Sequence, residues 1–350
     1  MKKILAMLLA LVMVLSLAAC ASTTPATDTT AASDTETPAA ETPVSETPVS
    51  TEETPAAEGK TYTVGVCQLV QHEALDAATQ GFVDALTEEL GDAVTVDVQN
   101  ASGDSVNCGT IVNGFVSRGV DLIMANATPA LTAAVSATAD IPILGTSITA
   151  YGVALDIDDF NGTVGGNVSG TSDLADLQAQ AQMILDWFPE TKNVGLLFCS
   201  AEPNSRYQVD EVRKALEAQG VTCEEFAFTD SNDVSSVTQK AADFSDVVYI
   251  PTDNTAASNT EAIANILIPA GVPAICGEEG LCRGCGVATL SISYYDLGVT
   301  TGKMAAKILK GEADISEMPV EYTDATPKYN ASICDQLGIT PLDGYEAIDG

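Results

Sequence analysis

The sequence predicts an α/β chain built as two successive parallel-sheet lobes, and three observations carry that expectation. Short apolar runs alternate with helix-like stretches, glycines close the helices, and the alternation breaks once in a glycine-rich segment near 160–170. The runs Tyr62–Cys67, Val94–Val98, Leu122–Ala125 and Ile141–Leu144 come before the break, and Val194–Phe198, Val247–Ile250 and Val272–Ile275 after it. Unbroken apolar strands of this kind belong to parallel sheets covered on both faces. Helices are predicted over Glu73–Leu90, Leu174–Phe188, Gln208–Gln219 and Thr255–Ile268. Gly119 and Gly220 follow helical stretches, where a residue free to turn left-handed ends a helix. About 290 residues of such units exceed one sheet, so the run Asn-Gly-Thr-Val-Gly-Gly-Asn-Val-Ser-Gly at 161–170 reads as a crossover between lobes. It fits neither a dinucleotide nor a P-loop glycine pattern.

The segment before the folded part has its own chemistry. Met1-Lys2-Lys3, an apolar run over Ile4–Leu17 and Leu17-Ala18-Ala19-Cys20 have the form of a bacterial lipoprotein signal over 1–20, with Cys20 as the lipidated residue. Residues 21–59 are rich in Ala, Thr, Ser, Pro and acids, contain no Lys or Arg, and repeat Glu-Thr-Pro-Val-Ser at 41–45 and 46–50. Such a composition cannot bury enough apolar surface to offset chain entropy, so a disordered acidic tether is expected.

The charge balance narrows the function. With 49 acidic against 14 basic residues and a formal charge of -35, nucleic acid is excluded, because phosphate binding needs clustered cations. One His and one Trp leave little for histidine catalysis, a multi-histidine metal site or a sugar-stacking platform. No catalytic set, no metal site and no cofactor are expected. Among the nine cysteines, Cys282-Arg283-Gly284-Cys285 has C-x-x-C spacing with Cys276 upstream. Free or loosely paired thiols are expected, with a disulfide and then a metal or redox site as the alternatives.

Several blocks then fall into the order of one family. Val64-Gly65-Val66-Cys67-Gln68-Leu69-Val70-Gln71-His72 opens the series, followed by Ala125–Pro129, Gly145–Thr149, Asn167–Asp173, Ser200–Ser205, Pro251–Thr255, Gly277–Gly280 and Ser293–Gly298. Over 61–340 the chain resembles the tryptophan/tyrosine-type substrate-binding proteins of ABC importers. The resemblance implies a periplasmic-binding-protein type I fold: two Rossmann-like lobes joined by a multi-strand hinge, with ligand between them. It divides the chain into 60–158 plus about 291–322 for the first lobe, and about 159–290 plus 323–350 for the second. Most of the blocks begin at the carboxyl end of a predicted strand, where open α/β sheets bind ligands. The implied ligand is an aromatic or hydrophobic amino acid. Another small solute (nucleoside, sugar or peptide) and a sensory role remain as alternatives. The implied partners are the small-molecule ligand, an ABC permease with its ATPase, and the membrane through the lipid anchor; a monomer at the extracytoplasmic face is expected.

Twelve residues become candidates for the ligand site. Gln68 and His72 come from the opening block. Asn126, Thr128, Ser147 and Thr149 suit a ligand carboxylate, or helix capping. Ser200 and Asn204 follow a second-lobe strand. Asp253, with Asn254, is the foremost partner for an ammonium group, and Glu278 the second. Tyr294 is a candidate aromatic wall. Trp187 is expected in the core. Glu73 after His72, Ala150 after Ser-Ile-Thr, and the three cysteines around 276–285 depart from the family pattern.

Overall fold

The computed structural model describes residues 60–348; the expected signal segment, Cys20 and the acidic tether lie outside the described residues. The chain runs β1 (Tyr62–Gln68), α1 (Glu73–Leu90), β2 (Val94–Asn100), α2 (Ser105–Arg118), β3 (Leu122–Asn126), α3 (Thr128–Ala137), β4 (Ile143–Ile148), α4 (Tyr151–Ala154) and β5 (Val168–Ser172). It continues through α5 (Leu177–Trp187), β6 (Asn193–Cys199), α6 (Pro203–Glu217), β7 (Thr222–Phe228), α7 (Val234–Phe244), β8 (Val247–Ile250), α8 (Asn254–Ala257), α9 (Thr260–Ala270) and β9 (Ala274–Cys276). It ends with α10 (Glu279–Cys285), β10 (Ala288–Ser291), α11 (Tyr294–Lys310), β11 (Glu321–Tyr322), β12 (Thr326–Tyr329), α12 (Ala331–Leu337) and β13 (Glu346–Ala347).

Two sheets form. The first has the order β11-β5-β4-β3-β1-β2 and the second β13-β12-β10-β9-β8-β6-β7. Every pair is parallel except β10 with β12. The alternation along β3 shows why both faces need helices. Ile123 and Ala125 pack with Val112, Phe115 and Leu131 from α2 and α3. Leu122 and Met124 pack with Phe82, Leu86 and Met304 from α1 and α11. Side chains two apart share a face, so an all-apolar strand is buried twice over. The second sheet repeats the arrangement, with Trp187 in one of its two cores.

The chain passes between the sheets three times: after β5, between β10 and α11, and between β11 and β12. The break expected at 159 therefore falls after Ser172, because β5 pairs with β4 and β11 in the first sheet. Its sequence, Val-Ser-Gly-Thr-Ser, has the composition of a linker, yet all five residues are buried. The hydroxyls are satisfied internally: Ser169 donates to the Met318 carbonyl at 3.0 Å, Thr171 pairs with Thr146 at 3.0 Å and Thr301 at 2.9 Å, and Ser172 donates to the Thr149 carbonyl at 3.0 Å. Gly170, at φ 144°, lies directly against the Gly145 backbone, so a side chain there would collide with the neighbouring strand.

Other differences are smaller. The helix expected over Thr255–Ile268 is two, α8 and α9, and the helix expected from Gln208 begins at Pro203, a favourable first helical residue. Strand β7, with Glu224 and Glu225 in its middle, is an exposed edge and lacks the apolar run used to find the others. No helix among the described residues is long and apolar enough to cross a membrane.

Candidate functional site

Strand ends deliver the polar residues of the cleft. β4 carries Ser147 and leads to Thr149, β5 leads to Asp173, the turn after β6 to Asn204, β8 to Asp253 and Asn254, β9 to Glu278, and β10 to Tyr294; His72 precedes α1. All eight predicted residues in that series line one cavity, joined by Asp173, Leu75, Thr252 and Ala257. The other four candidates do not line it. Gln68 donates to Asp76 at 2.6 Å and accepts from Thr79 at 2.6 Å, tying β1 to α1. Asn126 donates to the Leu75 carbonyl at 2.8 Å and to Thr79 at 2.9 Å. Thr128 is buried at the start of α3, and exposed Ser200 donates to the Phe228 carbonyl at 3.1 Å.

Asp173 is the charged lining residue that sequence reasoning missed, along with Leu75, Thr252 and Ala257. It lies within the Asn167–Asp173 block, but a lone acid after a hydroxyl-rich strand carries no motif. Its Oδ2 accepts from the Tyr294 hydroxyl at 2.8 Å, whereas its buried Oδ1 has no partner. Burial raises its carboxyl above the usual range, with the Tyr294 and Thr149 hydroxyls opposing. Ser147 Oγ and Asn204 Oδ1 are likewise buried and unpartnered. An unpaired buried polar atom costs about 1–3 kcal/mol, so three residues of one cavity lining each carry an atom left for something else to complete. Ser147 also holds φ 55°, a left-handed conformation rare for a residue with a side chain.

Asp253 has a different position. Its Oδ2 accepts from the Cys199 amide at 2.6 Å and its Oδ1 from the Ala256 amide at 2.8 Å, so it caps α8 and anchors β6. Burial, then the nearby Glu202 carboxylate, push it up to about 8. Glu278 likewise caps α10 through the Gly280 and Leu281 amides, at 2.6 and 2.5 Å, and burial pushes it up to about 7. Both predicted ammonium partners therefore already hold backbone N–H groups.

Glu202 organises the second lobe's wall. One oxygen accepts from the Asn254 amide nitrogen at 3.0 Å and its side chain at 2.7 Å, the other from Thr255 N and Oγ1 at 2.9 and 2.8 Å. With its Nδ2 on Glu202, Asn254 turns its Oδ1 to His72 Nε2, 3.2 Å away across the cleft. That orientation makes Nε2–H the donor. Burial lowers the His72 pKa, so the ring is neutral near pH 7. A second contact closes the cleft mouth: Arg283 of α10 donates through Nε to Glu73 of α1 at 3.0 and 3.1 Å. Arg283 also holds Glu279 at 2.7 Å. Among the described residues, no group of His, Cys, Asp and Glu is arranged to hold a metal ion.

Residues 63–344 match the family model described as ABC transporter substrate binding protein. A protein of Clostridioides difficile (strain R20291) named a tyrosine-binding protein is 32% identical over 283 residues, covering 79% of this chain and 81% of that one. The structure of an ABC domain from Streptococcus pneumonia in complex with L-Trp aligns with a TM-score of 0.78 at 32% identity, over 83% of this chain and 100% of that one. A ligand-free, open substrate-binding protein with adhesive properties from Clostridium difficile aligns with a TM-score of 0.63 at 34% identity, over 83% and 99%. At nearly equal identity, the L-Trp complex aligns with the higher TM-score of these two.

Proposed function

The chain belongs to the ABC transporter substrate-binding proteins, and from that premise we propose that it captures an aromatic amino acid between its lobes and hands it to a permease. The observation that carries the ligand class is the trio of unpartnered buried atoms, Ser147 Oγ, Asp173 Oδ1 and Asn204 Oδ1, lining one cavity. An amino acid supplies what each lacks. Its ammonium group completes Asp173, its carboxylate accepts from the Ser147 hydroxyl, and Asn204 Oδ1 takes a further ligand donor. Asn204 already directs its Nδ2 to Glu202, Ser205 and the Thr252 carbonyl, which leaves its oxygen for the cavity. Leu75, Ala257 and the ring of Tyr294 supply the less polar wall. The relatives described as tyrosine-binding and bound to L-Trp support the aromatic choice.

The protein acts by binding alone. Ligand contacts made from both lobes favour the closed state, a population shift rather than covalent chemistry. We further propose that the protein works as a monomer outside the membrane, held there by a lipid on Cys20. Calorimetric titration with L-tyrosine, L-tryptophan and their des-amino analogues tests the ligand. The amino acids should bind and the analogues lacking the ammonium group should not; comparable affinity for both would overturn the assignment of Asp173. Incorporation of labelled fatty acid into the wild-type protein but not Cys20→Ala tests the anchor.

A further inference from the structure

Glu202 is a buried acid, 4% exposed, that does not line the ligand cavity. It stands just before the first residue of α6, the position of a helix cap, yet its side chain makes no cap bond there. The carboxylate turns instead to α8. Asp253 already caps that helix through the Ala256 amide at 2.8 Å. Glu202 takes the two amides that precede it in the first turn, Asn254 N at 3.0 Å and Thr255 N at 2.9 Å. Capping would be complete with those bonds. Two side-chain donors nevertheless converge on the same oxygens, Asn254 Nδ2 at 2.7 Å and Thr255 Oγ1 at 2.8 Å.

The bond to Asn254 Nδ2 has a consequence in the other lobe. A side-chain amide has one donor end and one acceptor end, whereas an ionised carboxylate only accepts. Hydrogen bonds to an ionised group are about twice as strong as neutral ones, so Glu202 decides which way the amide turns. With Nδ2 held, Asn254 Oδ1 faces the cleft and meets His72 Nε2 at 3.2 Å. His72 is the N-cap residue of α1 in the first lobe and makes no side-chain cap bond to its own helix. Both His72 and Asn254 line the cavity. The bond between them exists only while the lobes are together.

We propose that Glu202 is a positioning residue for lobe closure: it fixes the Asn254 amide with Oδ1 aimed at His72, and the resulting bond across the cleft slows release of the ligand. Glu202 acts from behind the cavity wall, through two residues that form it. The same arrangement fixes the imidazole with Nε2 protonated and Nδ1 bare. The kinetic consequence rests on the amino-acid reading of the site; the tautomer does not.

His72 is the only histidine in the chain, so its ring resonances identify themselves. Long-range proton–nitrogen NMR spectra of the ligand-free protein at about pH 8, above the ordinary histidine pKa, distinguish a protonated ring nitrogen from a bare one. The wild type should show the Nε2–H tautomer alone. Glu202→Gln keeps the shape but places an NH2 group among four donors, so the second tautomer should appear, as it should in Asn254→Ala. In stopped-flow release of L-tyrosine or L-tryptophan, either variant should dissociate about 2- to 10-fold faster, the range of one hydrogen bond. The deciding arm is Glu202→Gln in a His72→Ala background, where it should bring no further acceleration. A role confined to holding α8 would bring the same factor in both backgrounds, and that result overturns the proposal. A bare Nε2 or a mixture of tautomers in the wild type overturns it as well, and that readout needs no variant to fold. If the wild type binds neither amino acid, the ligand reading fails and the tautomer still decides the role of Glu202.

Discussion

Replacing Asp173 by asparagine preserves the cavity's shape and removes its charge. If Asp173 receives the ligand's ammonium group, that change should weaken binding by about 2–5 kcal/mol, the usual loss when one member of a buried charge pair goes. Because the carboxyl is raised above its ordinary range by burial, pairing with a cation favours its ionised form. Binding should release protons as pH falls toward that range, and calorimetry in buffers of different ionisation enthalpy measures the release. Asp253→Ala should behave differently. It removes the cap of α8 and the acceptor for Cys199 N, so its main cost, about 1 kcal/mol or more, should appear in thermal unfolding without ligand. The contrast shows the reach of sequence reasoning. An acid after an apolar strand was visible at 253, and capping was the competing role. Asp173 follows a strand of Ser, Gly and Thr, whose burial only the folded packing reveals.

At the level of elements, the clearest consequences lie where helices meet. Gly81 of α1 faces the Tyr295 carbonyl of α11, and Gly298 of α11 faces the Ala78 carbonyl of α1, so the two backbones touch. Gly298→Ala would force them apart, and overpacking of this kind costs about 1–3 kcal/mol, read as a lowered denaturation midpoint. The pair Glu73–Arg283 joins α1 to α10 across the cleft mouth with side chains 53% and 35% exposed. Exposed pairs contribute at most about 1 kcal/mol and are screened by salt. Arg283→Ala should therefore raise ligand dissociation a few-fold in stopped-flow measurements, with the difference shrinking at high salt. Elements with apolar runs were legible: β1, β3, β6 and β8 stand where the sequence put them. The missed strands β5, β7, β10, β11, β12 and β13 are short, hydroxylated or acidic, and their pairing is decided by neighbours distant in sequence. The cavity lining was partly legible because strand ends gather polar residues by topology, whereas the reach of Glu202 to the first turn of α8 depends on a turn no local pattern records.

For the molecule as a whole, the acidic balance and the buried carboxyls act in one direction. Asp253 and Glu278 titrate in the folded protein near 8 and 7, above their ordinary values, because burial disfavours their charged forms. Their protonated forms contribute stability that is complete below about pH 4 and is lost as pH rises through those values. The formal charge of -35 adds self-repulsion over the same range. The ligand-free protein should melt at a higher temperature at pH 5.5 than at pH 8. Glu278→Gln should flatten the slope between about pH 5 and 7; an unchanged slope would show that Glu278 is ionised throughout. The triple passage of the chain between the sheets has a consequence of another kind. Helix α11, which covers the apolar face of α1 and β3, comes from residues 294–310, after the whole run of β6 to β10. A polypeptide emerging from a membrane channel N-terminus first cannot finish its leading half until nearly all of the trailing half is through. The leading half must wait, its sticky face bare, and the length of that wait is set by the speed of secretion.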